Sequence, residues 1–500
     1  MMHDLLATAA ARSPSAPAVR DAEGGWSYRQ LDEHSRRFAA WLGRIGVSAG
    51  DRVVVQHGRD RRIVAMLHGT SYQGGVFVPV NPAAGDLWLP TVVADAEPAV
   101  VLTTDAGATA LAGRGGATVM TATDAWRQAL DTPALPVGAS VPGADQDGLA
   151  LLMYTSGSTA APKGVMCAHR QVVFATGAIG QRLGYTADDR VLCALPMSFD
   201  YGLYQALLCA LGGSELQLAP EGREVELLRR IRDWQSSVVP VVPSLATMIV
   251  NLARRRPDRS TPVRLLTNTG EALGPGLLRD LRASFPGAQV CLMFGVTECK
   301  RISILEPDGD RARPGSVGRP LAGTEVLVTD PDGRPLPPGE VGEFVVRGPH
   351  LAAGYWRAPE LTARRFPPGP DQAPELHTGD FGYADPDGYL YFVGRRDDIF
   401  KRRGVRMSVT EIEAAAGTID GVTGAGLVRP DGRYDLALFV TGSRSPAEVL
   451  RELRRLLEPA KTPAVCRRLA ELPLTANGKV DRRALAALRE PATAPGPAAA

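Results

Sequence analysis

The chain has 500 residues, room for about three domain-sized units, and its 44% apolar and 22% charged content is ordinary for a core-forming protein. With 56 basic against 54 acidic residues the formal net charge is +2, which excludes the basic surplus of a nucleic-acid or membrane-surface protein. Six scattered cysteines, without a CxxC pair or zinc-like histidine spacing, exclude a disulfide or zinc framework and read as small buried apolar groups in a reducing compartment. The opening MMHDLLATAAARSPSAP lacks a basic flank before a long apolar region. No apolar run reaches the roughly 18 residues that span a bilayer. The expected setting is therefore cytoplasmic, with neither nucleic acid nor membrane as a partner.

No repeat of solenoid length is present. In chain order, Tyr28, Leu31, Ser35, Phe38, Leu42 and Ile45 recur at three- and four-residue spacing, which predicts an amphipathic helix. GDRVVVQ and GGVFVPVNP read as strands with the helix RRIVAMLHGTSYQ between them. The same rhythm continues through AVVLTT, VLCALP, SELQLAP, SVVPVVP and VRLLTN, predicting a parallel α/β sheet. From about Val317 the texture changes to short strands with Asp-Gly and Pro-Gly turns, the mark of an antiparallel β subdomain. Beyond Gly394, residues 398–490 alternate small strands with the helix SPAEVLRELRRLLE, and the Pro/Ala-rich end predicts a disordered tail. That C-terminal segment carries 17 basic against 12 acidic residues, while the remainder carries 39 against 42.

YTSGSTAAPKGV at 154–165 follows the apolar run 149–153. Backbone N–H groups of such a loop converge on phosphate oxygens, with hydroxyls and Lys163 adding donors and charge. The order Pro162-Lys163-Gly164-Val165 is not the Walker pattern, so an ordinary P-loop NTPase is disfavoured. The loop resembles the phosphate-binding signature of the AMP-forming adenylating enzymes, the superfamily of acyl-CoA synthetases, nonribosomal peptide adenylation domains and luciferases, with Ala160 where a glycine is usual. Four further stretches resemble that family's motifs in the same order: MFGVTE (293–298), HTGD (377–380), GRRDDIFKRRGVRMS (394–408) and LPLTANGKVDRRAL (472–485). The resemblance covers roughly 1–486. It implies an α/β fold: a large N-terminal core (1–396) of parallel α/β subdomains plus a β subdomain, a small mobile α+β lid (397–486), and a disordered tail (487–500).

The resemblance also implies the chemistry: a carboxylate is joined to the α-phosphorus of ATP with release of pyrophosphate, and a thiol then takes the acyl group. On it, Thr155, Ser156, Gly157, Ser158, Thr159 and Lys163 hold the pyrophosphate. Thr297 touches the α-phosphate and Glu298 ligates Mg²⁺, a cation that prefers carboxylate oxygen. Phe294 lies against adenine, Asp380 takes the ribose hydroxyls with Arg395 nearby, and Gly270 and Glu271 belong to the nucleotide side. Lys479 bridges the attacking carboxylate and the α-phosphate. Asp397 is the hinge.

For the acid, Phe199 resembles an aromatic gate, Tyr201 and Tyr204 a pocket floor, and Thr269 part of a pocket-lining crossover. Asp200 falls where amino-acid-activating members bind the substrate ammonium, although Gly202 replaces their serine; a helix-capping aspartate is the structural alternative. Lys300 or Arg301 either reads a second substrate carboxylate or pairs with nearby acids. The FDYG and TECKR wording resembles freestanding ligases that load α- or β-amino acids onto carrier proteins, and the terminal motif is closest to the peptide-synthetase form. No carrier domain is evident, so a carrier thiol is expected in trans, to which the basic lid is suited. The alternative is an acyl-CoA or aryl-CoA synthetase using free CoA.

Overall fold

The structure, a computed structural model, describes residues 1–83, 88–112, 116–139, 143–155, 162–255, 261–395, 398–402, 405–431, 434–475 and 479–489. The helix expected near 28–45 runs Tyr28–Arg44 and starts at a capping box, in which Ser27 Oγ accepts the Gln30 N–H and Gln30 Oε1 accepts the Ser27 N–H. Its predicted stripe is buried except Ile45, which is the C-cap. Helix Arg61–Tyr72 is buried from Ile63 to Tyr72, because it is sandwiched between the first helix and the sheet behind it.

Among the described residues, strands build two large sheets. One runs in the order Gly354–Tyr355, Lys163–Ala168, Leu149–Thr155, Val76–Val80, Arg52–Gln56, Val100–Thr103, Thr118–Thr121. Its last five strands are parallel, as the strand–helix rhythm requires, and its first three are antiparallel. The other sheet has thirteen strands. Arg190–Cys193, Glu215–Leu218, Pro17–Asp21, Val238–Val241, Leu265–Asn268 and Gln289–Phe294 form its parallel part.

The antiparallel pairing expected beyond Val317 is present, but it is not a separate sheet. Ser303–Ile304 pairs with Gln289–Phe294 on one side and Ser316–Pro320 on the other, so the ladder continues directly into Leu390–Arg395, Leu376–Ala384, Gly342–Arg347 and Glu325–Thr329. A parallel edge left at Gln289–Phe294 would expose unpaired amides and carbonyls, and the change of strand direction covers it.

The C-terminal segment has its own apolar cluster, Met407, Val409, Ile412, Leu427, Leu438, Val449 and Leu453 among them. Helix Pro446–Leu456 is capped by Ser445, whose box with Glu448 is spelled by the sequence SPAE. Helix Arg482–Ala487 extends one residue beyond the expected lid boundary, Leu488 and Arg489 of the expected tail are held by hydrogen bonds with Arg467, Arg429 and Asp431, and residues 490–500 lie outside the described residues. Five cysteines are buried, Cys466 is half-buried, and all six are free thiols. No helix among the described residues is long and apolar enough to cross a membrane.

Candidate active site

The loop at 154–165 is the connection of an antiparallel hairpin and not a strand-to-helix turn. Thr155 pairs with Lys163 at its base, and Gly354–Tyr355 adds a third strand beside Lys163–Ala168. Tyr154 donates its hydroxyl to Asp95 at 2.5 Å, tying the first strand of the hairpin to the neighbouring helix. Ser156, Gly157, Ser158 and Thr159, and the expected hinge Asp397, lie outside the described residues.

One end of the site is built where the large sheet changes direction. Phe294 ends the last parallel strand and packs against Phe392 and Phe344, at 5.4 and 5.9 Å between ring centres, leaving an apolar aromatic wall. Asp380 and Arg395 are paired residues on adjacent strands, and Arg395 Nε donates to Asp380 Oδ1 at 2.9 Å. Asp380 is 1% exposed, and burial pushes its carboxyl above the ordinary range against the pull of Arg395. Half-buried Thr297 and Glu298 follow Phe294 closely. Tyr355 donates its hydroxyl to Glu298 Oε1 at 2.5 Å, and the Ala352 N–H donates to the Glu298 carbonyl at 2.7 Å.

The other end is set by helix Asp200–Gly212. Its N-cap is Phe199, in an extended conformation and without a side-chain cap, so Asp200 does not cap the helix. Instead the Asp200 carboxylate stands 3.8 Å from Arg301 Nη1, each side chain 6% exposed. The Arg301 guanidinium lies 5.0 Å over the Tyr201 ring and donates to the Lys300 carbonyl at 2.6 Å, while its Nε has no partner. Lys300 is buried with φ +65°. Its Nζ stands 6.0 Å over the Tyr204 ring and beside the Cys167 thiol, without a hydrogen bond of ordinary geometry. Tyr204 Oη is likewise buried and unpartnered, whereas Tyr201 Oη meets Thr267 Oγ1 at 2.6 Å. Gly202 has a physical reason: a Cβ there would come within 2.3 Å of the Pro196 carbonyl oxygen, so the serine of the resembled motif has no room.

Thr269, buried, and Gly270 cross between the two ends. Gly270 has φ +91°, and a Cβ on it would lie 3.6 Å from Phe199 Cζ and 3.9 Å from Lys479 Cε. Lys479 thus reaches the middle of the site from the C-terminal segment, held in a turn where Thr475 N–H donates to its carbonyl at 2.7 Å and its N–H donates to Thr475 Oγ1 at 3.2 Å. Burial lowers the Lys479 pKa and the Arg395 charge adds to this, with Glu271, Asp200 and Asp380 opposing. One ammonium therefore feels carboxylates from both ends.

Reading the sequence missed Tyr355 and Thr267, which carry no motif signature, and left the pairing of Arg301 open. It placed Glu271 with the nucleotide; the Glu271 side chain is half-buried and within electrostatic reach of Lys479 and Arg482.

The AMP-binding enzyme family model matches residues 6–356. The chain belongs to this family. As an AMP-binding enzyme it is an AMP-forming ligase, and its relatives fit that class. It is 30% identical to the L-proline–[L-prolyl-carrier protein] ligase of Pseudomonas fluorescens over 97% of this chain and 99% of that protein. It is 35% identical to the probable non-canonical nonribosomal peptide synthetase CymA of Salinispora arenicola over 96% of this chain, which spans 6% of that protein's length. The solved complex of VinN with L-aspartate is 42% identical, with a TM-score of 0.71, covering 78% of this chain and 98% of that one.

Proposed function

We propose that this AMP-binding enzyme activates an amino acid bearing a second carboxylate, of the aspartate type, and passes it to the phosphopantetheine thiol of a carrier protein. The observation that carries this reading is the buried trio Asp200, Arg301 and Lys300. Two basic side chains stand with one carboxylate where burial of an unmatched charge is expensive, and Lys300 Nζ lacks an ordinary partner. A substrate ammonium on Asp200 alone would leave a surplus of positive charge. A second substrate carboxylate between Arg301 and Lys300 removes it and gives Lys300 its missing acceptor. VinN in complex with L-aspartate and the prolyl-carrier protein ligase support the two halves of the reading.

The residues at the opposite end fit a magnesium nucleotide. The Phe294, Phe344 and Phe392 wall suits a purine face, Asp380 suits ribose hydroxyls, and Glu298 supplies one carboxylate, the usual protein share for Mg²⁺ that takes its other ligands from phosphates and water. Bound there, Mg²⁺·ATP supplies the electrophilic α-phosphorus and a pyrophosphate leaving group. The trio around Asp200 orients the acid, Phe199 closes it from water, and the Lys479 ammonium neutralises charge growing between carboxylate and α-phosphate. A carboxylate oxygen bonds to phosphorus as the bond to the β-phosphate bridge breaks. The thiol then attacks the acyl carbon and AMP leaves.

The test is ATP–pyrophosphate exchange with aspartate, 3-methylaspartate, asparagine, alanine, proline and fatty acids, followed by acyl transfer to a carrier or to CoA. Exchange confined to the acidic amino acids is expected. Equal exchange with alanine would sink the second-carboxylate reading, and transfer to CoA alone would make the protein a CoA ligase.

A further inference from the structure

The hairpin that presents Thr155 and Lys163 is held to the core by a residue that belongs to none of the family-like motifs. Asp95, half-buried, lies near the end of helix Trp88–Ala96. Its carboxylate accepts the Tyr154 hydroxyl at 2.5 Å, and its backbone carbonyl accepts the Trp356 indole N–H at 3.0 Å. Trp356 in turn donates its backbone N–H to the Gly164 carbonyl at 2.8 Å. One residue therefore ties down all three antiparallel strands: Leu149–Thr155 directly, and Gly354–Tyr355 and Lys163–Ala168 through the tryptophan.

The neighbouring residues are shaped for this contact. Tyr154 and Gly164 face each other in the ladder. A Cβ on Gly164 would stand 3.2 Å from Tyr154 Cζ and 2.9 Å from Leu152 Cδ1, so the glycine leaves the ring room to lie across the adjacent strand and reach Asp95. The Tyr154 and Trp356 rings pack on the same apolar cluster as Leu89, Val92 and Ala96 of the helix. Arg52 fixes the helix end: its Nε donates to the Ala96 carbonyl at 2.9 Å, and its guanidinium lies 5.3 Å over the Trp356 ring. The remaining tie, Arg357 to Glu97, is exposed on both sides and contributes little. Successive side chains of an extended segment point opposite ways, so Tyr355 turns to Glu298 while Trp356 turns to Asp95.

We propose that Asp95 is a positioning residue for the β- and γ-phosphates of ATP: through Tyr154 and Trp356 it sets where the hairpin presents Thr155 and Lys163 relative to Glu298. The inference rests on the nucleotide half of the function proposed above. AMP ends at the α-phosphate, so a residue that acts through this hairpin matters to ATP and to pyrophosphate and not to AMP. A residue that merely stabilised the fold would not separate the two nucleotides.

The experiment is calorimetric titration of Mg²⁺·ATP and of AMP, without acid, into wild type, Asp95→Ala, Asp95→Asn and Tyr154→Phe, with pyrophosphate exchange measured on the same proteins. Groups that orient ligand-holding residues are worth about tenfold or more in affinity at metal sites, and a weakening of about tenfold is expected here for ATP in Asp95→Ala and in Tyr154→Phe. AMP should stay within about twofold. The two changes remove one and the same hydrogen bond, so together they should cost no more than either alone. Asp95→Asn keeps an oxygen for the Tyr154 hydroxyl and should recover most of the ATP affinity. Tyr154→Phe differs from wild type by one oxygen and carries the test if the alanine variant fails to fold.

Equal weakening of ATP and AMP would overturn the proposal, because it would mark a general disturbance of the nucleotide end. Unchanged ATP affinity in both Asp95→Ala and Tyr154→Phe, with exchange intact in wild type, would fell this inference alone. A wild type that exchanges pyrophosphate with no acid, while the variants still lose ATP and keep AMP, would fell the acid activation proposed above and leave this inference standing. A wild type that binds neither nucleotide would fell both.

Discussion

At the nucleotide end, Asp380 meets Arg395 at 2.9 Å and Glu298 accepts the Tyr355 hydroxyl at 2.5 Å, whereas at the acid end Asp200 stands 3.8 Å from Arg301 and Lys300 Nζ has no ordinary hydrogen bond. The first end is organised by its own side chains before anything binds. The second holds buried basic groups, Lys300 Nζ and Arg301 Nε, without a hydrogen-bond partner. A preformed site suits a substrate that never varies, since little is left to order on binding. An incomplete one turns unpaired polar groups into selectivity, because the wrong acid leaves them unpaired.

The sharpest way to break this contrast is at the residue both ends share. Lys479→Ala should lower pyrophosphate exchange by about 10²–10³-fold, the usual loss for a preorganised donor at developing charge. Transfer from preformed adenylate should persist, and its disappearance would show that Lys479 serves the whole cycle. At the acid end, Arg301→Ala should lower kcat/KM for aspartate by about 10²-fold, since it strands Asp200 and removes a carboxylate partner. Alanine as substrate should lose less. Equal losses for both would reduce Arg301 to a support for Asp200.

At the nucleotide end, Tyr355→Phe removes the hydrogen bond that orients Glu298. A tenfold or so rise in the Mg²⁺ concentration needed for half-maximal exchange is expected, with the KM for aspartate unchanged. An unchanged metal requirement would mean that Glu298 is held well enough by its backbone. The smallest effect lies away from both ends. Burial pushes the Glu413 carboxyl up to about 7 despite Arg482 and the Leu427 N–H. A carboxyl raised on folding is favoured in its protonated form, so its contribution to stability falls as pH rises from the ordinary value of 4.5 to about 7. Melting temperatures across that window should decline in wild type, and Glu413→Gln should flatten the decline.

Much of this was legible in the sequence where a local rule and the fold agree. Ser27 with Gln30, and Ser445 with Glu448, announce helix starts that the structure keeps. The strand–helix alternation up to Leu265–Asn268 predicts parallel pairing because a crossover helix leaves no other return. Asp200 shows where legibility ends. Its sequence position fits a helix cap as well as a ligand group, and only the extended Phe199 at the N-cap removes the first of these. Tyr355 lies 57 residues beyond Glu298, so no spacing rule connects them. The same holds for Lys479, which reaches Gly270 and Phe199 from the far end of the chain.

The stretch that matches the family, 6–356, ends just after Gly354–Tyr355, the edge strand of the seven-stranded sheet, before the thirteen-stranded sheet is complete. Leu376–Ala384 and Leu390–Arg395 lie beyond it, yet they sit in the ladder between Gly342–Arg347 and Ser316–Pro320. A chain shortened at 356 would therefore lose the middle of a sheet and not its border, leaving two raw edges on which copies could pair with one another. The end of the family-model match is not a boundary of folding, and a fragment meant for expression has to run past Arg395 to be whole.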